Sequence, residues 1–498
     1  MSISKRSPHI YEINTWVWLN SLSGQYGKTI TLADVPDAEL KAISKLKMDA
    51  VWLMGVWERS PAGREVALQH PDLQSEYYRA LPDLKAKDVV GSPYSVRRYV
   101  VDEHLGGPEG LAAFRQRLAK EGIGLILDFV PNHVATDHPW IIEKPDALIQ
   151  GTSQDLAHNP VSHYQANGHI FAHGRDPYFP AWTDTAQVNA FSPTLREAAQ
   201  ETLLSIAEQC DGVRCDMAML VTNDIFKRTW NEHAGDVPQT EYWETLIPAV
   251  HEKYPAFLFI AEVYWDMEAE LQQQGFDYCY DKRLYDHILN RDPRGINAHL
   301  KADIAYQDRL IRFIENHDEA RANEALGDLR SRAAALLIAT LPGAKLWHEG
   351  QFEGFQVKLP VQLGRRPAES GPSRDMEKFY RFLIKEMKKR TYRDGEWRQR
   401  DVIPAWPANP THSNFIAYTW KRGDKRRLIV INFSDTRSQG RVQIPLFELE
   451  NEMWELDDIL NGRYFEREGN DMAVGGLYVD LAPWQAHVFK FKAAEEDE

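Results

Sequence analysis

Hydrophobic positions recur along the first part of the chain in two alternating rhythms. Short apolar runs stand at 10–18 (IYEINTWVW), 50–57 (AVWLMGVW), 124–130 (GLILDFV), 211–217 (DGVRCDM), 256–261 (AFLFIA), 276–280 (FDYCY), 310–314 (LIRFI) and 344–348 (AKLWH). Between them, 37–46, 110–121 and 194–209, and after the last of them 375–389, carry apolar residues at the i, i+3, i+4 spacing of helices. Strand-like runs alternating with helices predict right-handed βα units around a parallel sheet, and eight such runs suffice to close a (β/α)8 TIM barrel, an α/β fold.

The rhythm breaks twice. From 131 to 192 the chain is rich in His, Asn, Asp, Pro and Gly with no long periodic run, which predicts a small excursion domain (134–192) after strand three. His138, His158, His163, His169 and His173 lie in it, and the four-residue gap between the last two raises the question of a zinc site. The surrounding HIFAHGRDP is not helical and offers no evident third ligand, so a polar cleft wall is the preferred reading. Beyond residue 391 helical periodicity gives way to short alternating runs at 415–420, 427–433, 441–445 and 484–491, which predict a C-terminal antiparallel β-sandwich domain over 392–498. The catalytic barrel is then 1–133 with 193–391. The acidic tail, 495–498, is expected to fray.

Composition narrows the function classes. A net charge of −15 over 498 residues argues against a nucleic-acid or anionic-membrane partner. No apolar stretch approaches the ~18 residues of a membrane helix, and the first residues show no apolar run behind their charges, so no secretory leader is expected. Cys210, Cys215 and Cys279 are an odd number without metal-ligand spacing, in keeping with a reduced, cytoplasmic protein. The 15 Trp and 20 Tyr would serve a core and a sugar-binding cleft alike.

Four of the strand-like runs end in acidic or imidazole groups: Asp128 followed by Asn132 and His133; Arg214 and Asp216; Glu262; and Asn316, His317 and Asp318. Arg214 and Asp216 leave the same face of a strand, about 7 Å apart at Cα. A buried ion pair is a poor stabilising device, which makes function a reason to keep it. Carboxylates at several strand exits are what a parallel barrel offers to an active site at its carboxyl-end face.

These runs resemble the four signature regions of the α-amylase family of retaining glycoside hydrolases (family 13), in order and in their spacing of roughly fifty to ninety residues. The resemblance implies that Asp216 is the nucleophile, Glu262 the general acid/base and Asp318 a carboxylate gripping sugar hydroxyls. It makes Arg214, His133, His317, Tyr94 and Asp128 substrate-binding residues. A retaining pair stands about 5–5.5 Å apart, with the nucleophile ionised and the acid protonated. Arg214 is expected to lower the Asp216 pKa, and a drier site behind FLFIA, beside Tyr264 and Trp265, to raise that of Glu262. Three features depart from the family pattern. Ser95 follows Tyr94 where many members have Asp, and Met219 and Leu220 stand in place of Lys-His, weakening any calcium site built with Asn132. The third is a basic loop, 357–372, whose Lys358, Arg365 and Arg366 raise the question of an anionic sugar, although a solvated loop is preferred.

The implied activity is hydrolysis of α-glucosidic bonds in oligosaccharides or α-glucans through a covalent glycosyl-enzyme. No cofactor is expected to be required, calcium being the one candidate metal. Transglycosylation, with a phosphorylated sugar among the candidates, shares the intermediate. A Mg²⁺-holding barrel for enolate chemistry is disfavoured because Arg214 would repel a cation. A non-catalytic binding relative is disfavoured by the intact Asp216, Glu262 and Asp318.

Overall fold

Eight parallel strands close into a barrel in the computed structural model, which describes residue 3 and residues 6–445, 448–449 and 452–493. They are β1 (His9–Asn14), β2 (Ala50–Met54), β3 (Gly124–Phe129), β4 (Gly212–Cys215), β5 (Leu258–Ala261), β6 (Tyr278–Tyr280), β7 (Leu310–Arg312) and β8 (Ala344–His348). Each pairs with its sequence neighbours, and β8 closes on β1 with Ile10 opposite Leu346. Every residue in the eight strands is buried. Side chains on one face fill the barrel and those on the other meet the helices, which is why the strands read as continuous apolar runs without alternation.

Two strand ends fall short of the sequence expectation. Residues 16–18 are not strand: Asn14 accepts a hydrogen bond from the Val17 N–H (3.3 Å) and caps the helix Thr15–Tyr26. The second run stops at Met54, because Gly55 (φ 78°) turns the chain where a Cβ would sit 2.8 Å from Pro93. Trp57–Arg59 then pairs antiparallel with Val96–Val101, and the helices Pro61–Gln69 and Pro71–Ala80 lie between them. This insertion between β2 and β3 carries Tyr94.

The excursion after β3 is anchored where His133–Ala135 pairs with Thr185–Gln187. Beyond that anchor, His163–Ala166 and His169–Ala172 form a hairpin whose turn residues, Asn167 and Gly168, both have positive φ. His169 Nδ1 faces Gln150 (3.3 Å) and His173 Nδ1 faces the Thr185 carbonyl (2.7 Å). Among the described residues no group of three or more His, Cys, Asp or Glu side chains is arranged to hold a metal ion.

The C-terminal strands form a six-stranded and a three-stranded antiparallel sheet. In Phe415–Arg422 the two faces serve different cores. Phe415 and Ala417 meet the smaller sheet, whereas Ile416, Tyr418 and Trp420 join the barrel's apolar cluster. The junction is polar as well: Trp420 Nε1 donates to the Thr340 carbonyl (2.7 Å) and Arg427 pairs with Glu386 (2.8 Å). The 357–372 loop is tied to the β2–β3 insertion by Val90 N–H to Gln362 O and Gly364 N–H to Asp88 O, both 2.8 Å. Residues 495–498 lie outside the described chain. No helix among the described residues is long and apolar enough to cross a membrane.

Candidate active site

Register places the site. Arg214 on β4 stands opposite Asp128 on β3 and Ile260 on β5. The ladder runs one step past the strands, with Asp216 N–H to Phe129 O (2.8 Å) and Glu262 N–H to Cys215 O (3.0 Å), so both carboxylates stand at strand exits.

The Arg214 side chain, 1% exposed, is the hub. Its Nη1 lies 2.8 Å from Asp216 Oδ1 and 3.5 Å from Asp128 Oδ1; its Nη2 lies 2.7 Å from Glu262 Oε2 and 4.0 Å from Asp318 Oδ2. Trp52, Tyr94 and Tyr280 present their rings to the guanidinium at 5.1–5.9 Å, adding cation–π attraction where water is excluded. The structure therefore brings Asp128, Arg214, Asp216, Glu262 and Asp318 together, with Tyr94 against them.

Four carboxylates around one cation titrate unequally. Burial pushes Glu262 up to about 7; Arg214 acts to lower it, and repulsion from Asp216 and Asp318 adds to the rise. Its Oε1 accepts from the Tyr264 hydroxyl (2.9 Å) and its Oε2 from the Met217 N–H (2.7 Å). Met217 reaches that position with φ 41°, a strained residue directly after Asp216. Burial also raises Asp216 above the ordinary carboxylate range. Arg214 does lower it, as expected, but desolvation together with repulsion from Asp318 and Asp128 leaves the net shift upward, which corrects the expectation of a depressed pKa. Asp128 is pushed up by burial to about 6, and Trp52 Nε1 (3.2 Å) and Gly55 N–H (3.3 Å) donate to its Oδ2 behind Arg214.

Asp318 is different. Its side chain is 43% exposed, and although burial acts the other way, the His317 charge holds its carboxyl well below the usual range. His317 sits between two carboxylates, Nδ1 at 2.5 Å from Glu12 and Nε2 at 2.9 Å from Asp318, and together they raise it well above its ordinary value against the desolvation. The Tyr94 hydroxyl is 2.6 Å from the same Nε2. Lys358, from the loop after β8, donates to the Asp318 carbonyl.

His133 is buried at the start of the excursion. Burial lowers it to about 4, its ring bonds the Tyr94 backbone, and it packs beside Trp182 at 5.1 Å. Ser95, where an acid was the family expectation, donates to the Asp184 carbonyl (2.7 Å) and ties the β2–β3 insertion to the excursion. The residues do not fit the calcium site of the resemblance. Asn132 forms a reciprocal amide pair with Gln187 (3.0 and 3.3 Å), and Met219 and Leu220 are buried apolar side chains. The basic loop's arginines are engaged with carboxylates: Arg365 with Asp83 (3.0 Å) and Asp88 (2.9 Å), Arg366 with Glu349 (2.7 Å).

The sequence did not single out Glu12, Trp52 or Tyr280, and it placed Tyr264 beside Glu262 without marking it as its hydrogen-bond donor. Glu12 is a lone acid inside the apolar run IYEIN, the same signal that singled out Asp128.

Fold and site define a barrel protein with its carboxylates massed at the strand exits around one arginine. The family model for the alpha amylase catalytic domain matches residues 37–399, and the chain belongs to the α-amylase family. Alpha-amylase 3 of Dictyoglomus thermophilum is 21% identical over 294 residues, 54% of this chain and 55% of that protein. The 1,4-alpha-glucan branching enzyme GlgB 1 of Xanthomonas euvesicatoria is 26% identical over 385 residues, covering 68% of this chain and 49% of its own length. The chain spans about half the length of the curated relatives it matches. Among solved structures, an α-amylase from Lactobacillus plantarum superposes with a TM-score of 0.69 at 18% identity over 98% of this chain and 99% of that one.

Proposed function

We propose that the protein cleaves α-glucosidic bonds of oligosaccharides or α-glucans with retention, through a glycosyl ester on Asp216. One observation carries this reading: Asp216 and Glu262 are bound to the two terminal nitrogens of a single buried guanidinium, and burial raises one of the two, Glu262, to about 7. Two carboxylates sharing one fork are close-set, as in a retaining pair, whereas an inverting pair stands about 6.5–9.5 Å apart to admit water.

In the first step Asp216 Oδ attacks the anomeric carbon, the bond from that carbon to the leaving oxygen breaks, and the Glu262 proton passes to the leaving oxygen. In the second, a water or a sugar hydroxyl gives its proton to Glu262, its oxygen bonds the anomeric carbon, and the ester to Asp216 breaks. Arg214 stays charged throughout and steadies whichever carboxylate is ionised. Asp318, held ionised by His317 and partly exposed, accepts hydrogen bonds from sugar hydroxyls, with Tyr94 and His133 forming the wall. Asp128 acts from behind as the group that fixes Arg214 and Trp52. The paired Arg365 and Arg366 favour a neutral sugar, and three unpaired buried thiols suit a reducing, cytoplasmic setting.

Proton NMR of the first products from a maltooligosaccharide tests the reading. Newly released reducing ends are expected in the α configuration; initial β products would overturn it.

A further inference from the structure

Glu12 is a buried acid beside the site that the bond cleavage does not use. It stands on β1 in register with His348 on β8, and its side chain is fully covered. Its Oε1 accepts from the His317 backbone N–H (3.3 Å) and faces His317 Nδ1 at 2.5 Å. Its Oε2 has no hydrogen-bond partner among the described residues. Burial works against its ionised form, yet His317 and His348 bring it below the ordinary carboxylate range. A carboxylate half satisfied in a dry place is a poor device for stability, and an apolar side chain would fill the same volume.

Its position gives it a use. The His317 ring has oxygens at both nitrogens: Nδ1 meets Glu12, and Nε2 meets Asp318 Oδ2 at 2.9 Å and the Tyr94 hydroxyl at 2.6 Å. Trp52 meets the ring edge-on at 5.5 Å and Tyr94 stacks on it at 5.4 Å, so packing holds its plane. A neutral imidazole carries one N–H and would set a lone pair against one of the two carboxylates. Only the doubly protonated ring answers both. Asp128 adds to the attraction, and Tyr280, beside Glu12, is kept neutral by burial. Arg214, 4.0 Å from Asp318, and Lys358, on the Asp318 carbonyl, oppose it from beyond that carboxylate. With the Nε2 proton given to Asp318 and the Tyr94 oxygen, the Tyr94 proton is left for a sugar hydroxyl.

We propose that Glu12 is a positioning residue that locks His317 as a doubly protonated ring, so that the imidazolium, Asp318 and Tyr94 meet the sugar in one fixed arrangement. The sugar half of this deepens the retaining reading of the site and rests on it; the state of the imidazole does not. A buried carboxylate behind an imidazole fixes its protons and its plane, as in the hydrolytic triads, but here a second carboxylate stands on the far side. The ring therefore passes no proton on. It holds Asp318 ionised for the sugar hydroxyls through a charge-assisted hydrogen bond.

Nitrogen-15 NMR of histidine-labelled protein reads the ring directly, with His317→Gln identifying its signals. In the parent both nitrogens are expected to stay protonated from about pH 5 to about pH 9, the range in which an ordinary histidine titrates. Glu12→Gln keeps the size and removes the charge, and its His317 should lose a proton within that range. On maltoheptaose, kcat/KM in Glu12→Gln relative to the parent should be down about tenfold near about pH 6, and about a further tenfold near about pH 8. Glu12→Asp, which keeps the charge, should hold the doubly protonated ring and recover most of the loss at the higher pH. A loss equal at both pH values, with His317 unchanged in the variant, would mean that Glu12 only supports the fold, and overturns the proposal. So does a parent His317 that loses a proton below about pH 7, a measurement independent of how Glu12→Gln folds. Should the parent turn over no α-glucan, the retaining reading falls, and the NMR titration alone sustains or overturns the lock on His317.

Discussion

The barrel buries two arginines from its strands, and their surroundings differ in charge balance. Arg312, at the end of β7, pairs with Asp281, which also faces His299 at 2.9 Å, and its other nitrogens meet Gln307 and the Pro342 carbonyl. Burial keeps His299 down at about 4, so the imidazole is neutral and one cation answers one carboxylate. Arg214 answers four, and among the described residues Asp128 Oδ1 accepts no hydrogen bond. A closed, balanced pair holds elements together. An unbalanced one leaves charge and lone pairs for a substrate, and stores repulsion that the rest of the fold must offset.

The sharpest way to break the comparison is to remove a charge from each. Asp216→Asn should cut kcat at least about 10³-fold, because an amide cannot form the glycosyl ester. Its melting temperature should equal or exceed the parent's, since one of four mutually repelling carboxylates is gone. Steady-state kinetics beside calorimetry checks both halves, and a clear loss of stability would place Asp216 in a structural role. Arg312→Ala should do the reverse. Leaving Asp281 buried without its cation should destabilise by about 3–5 kcal/mol, while the folded fraction keeps the parent's KM.

The same balance explains what the sequence made legible. The strands could be read because a parallel barrel buries both faces, and the site because its acids interrupt those runs at their exits. Asp128, Arg214, Glu262 and Asp318 were visible for that reason. Residues 16–18 were misread because TWVW is equally apolar as strand or as buried helix; the Asn14 cap was the signal that separates them. Asn167 and Gly168 announced the excursion's hairpin by turn chemistry that periodicity does not register. Two features rest on distances the chain alone does not carry: the closeness of Glu12 to His317, 305 residues apart, and the capture of Arg365 by Asp83 and Asp88. The direction of the Asp216 shift was also out of reach, since it depends on how completely the fold excludes water around the pair.

Titration sharpens the contrast further. With Glu262 at about 7, activity that requires its acid form should decline as pH rises through that value. Glu262→Gln should slow maltooligosaccharides by about 10²–10⁴-fold and erase that alkaline limb. Glycosyl fluorides, which need little protonation, should suffer far less in the first step. Equal losses on both substrates, with the limb intact, would assign the proton to another group.

The smallest effect isolates a single hydrogen bond. The Tyr264 hydroxyl donates to Glu262 Oε1 at 2.9 Å, and a donor of that kind stabilises the ionised carboxylate more than the protonated one. Removing it in Tyr264→Phe leaves the ring and the packing in place but makes ionisation of Glu262 harder. The Glu262 pKa should therefore rise, moving the alkaline limb of kcat/KM toward higher pH by about half to one unit, the size of one net hydrogen bond. The Tyr264→Phe variant should also retain more activity at pH 8 relative to its optimum than the parent does. A limb that stays in place would mean that Met217 N–H and Arg214 alone set the ionisation of Glu262. A limb moving to lower pH would mean that Tyr264 donates chiefly to the protonated acid, and that burial near the strained Met217 dominates the site.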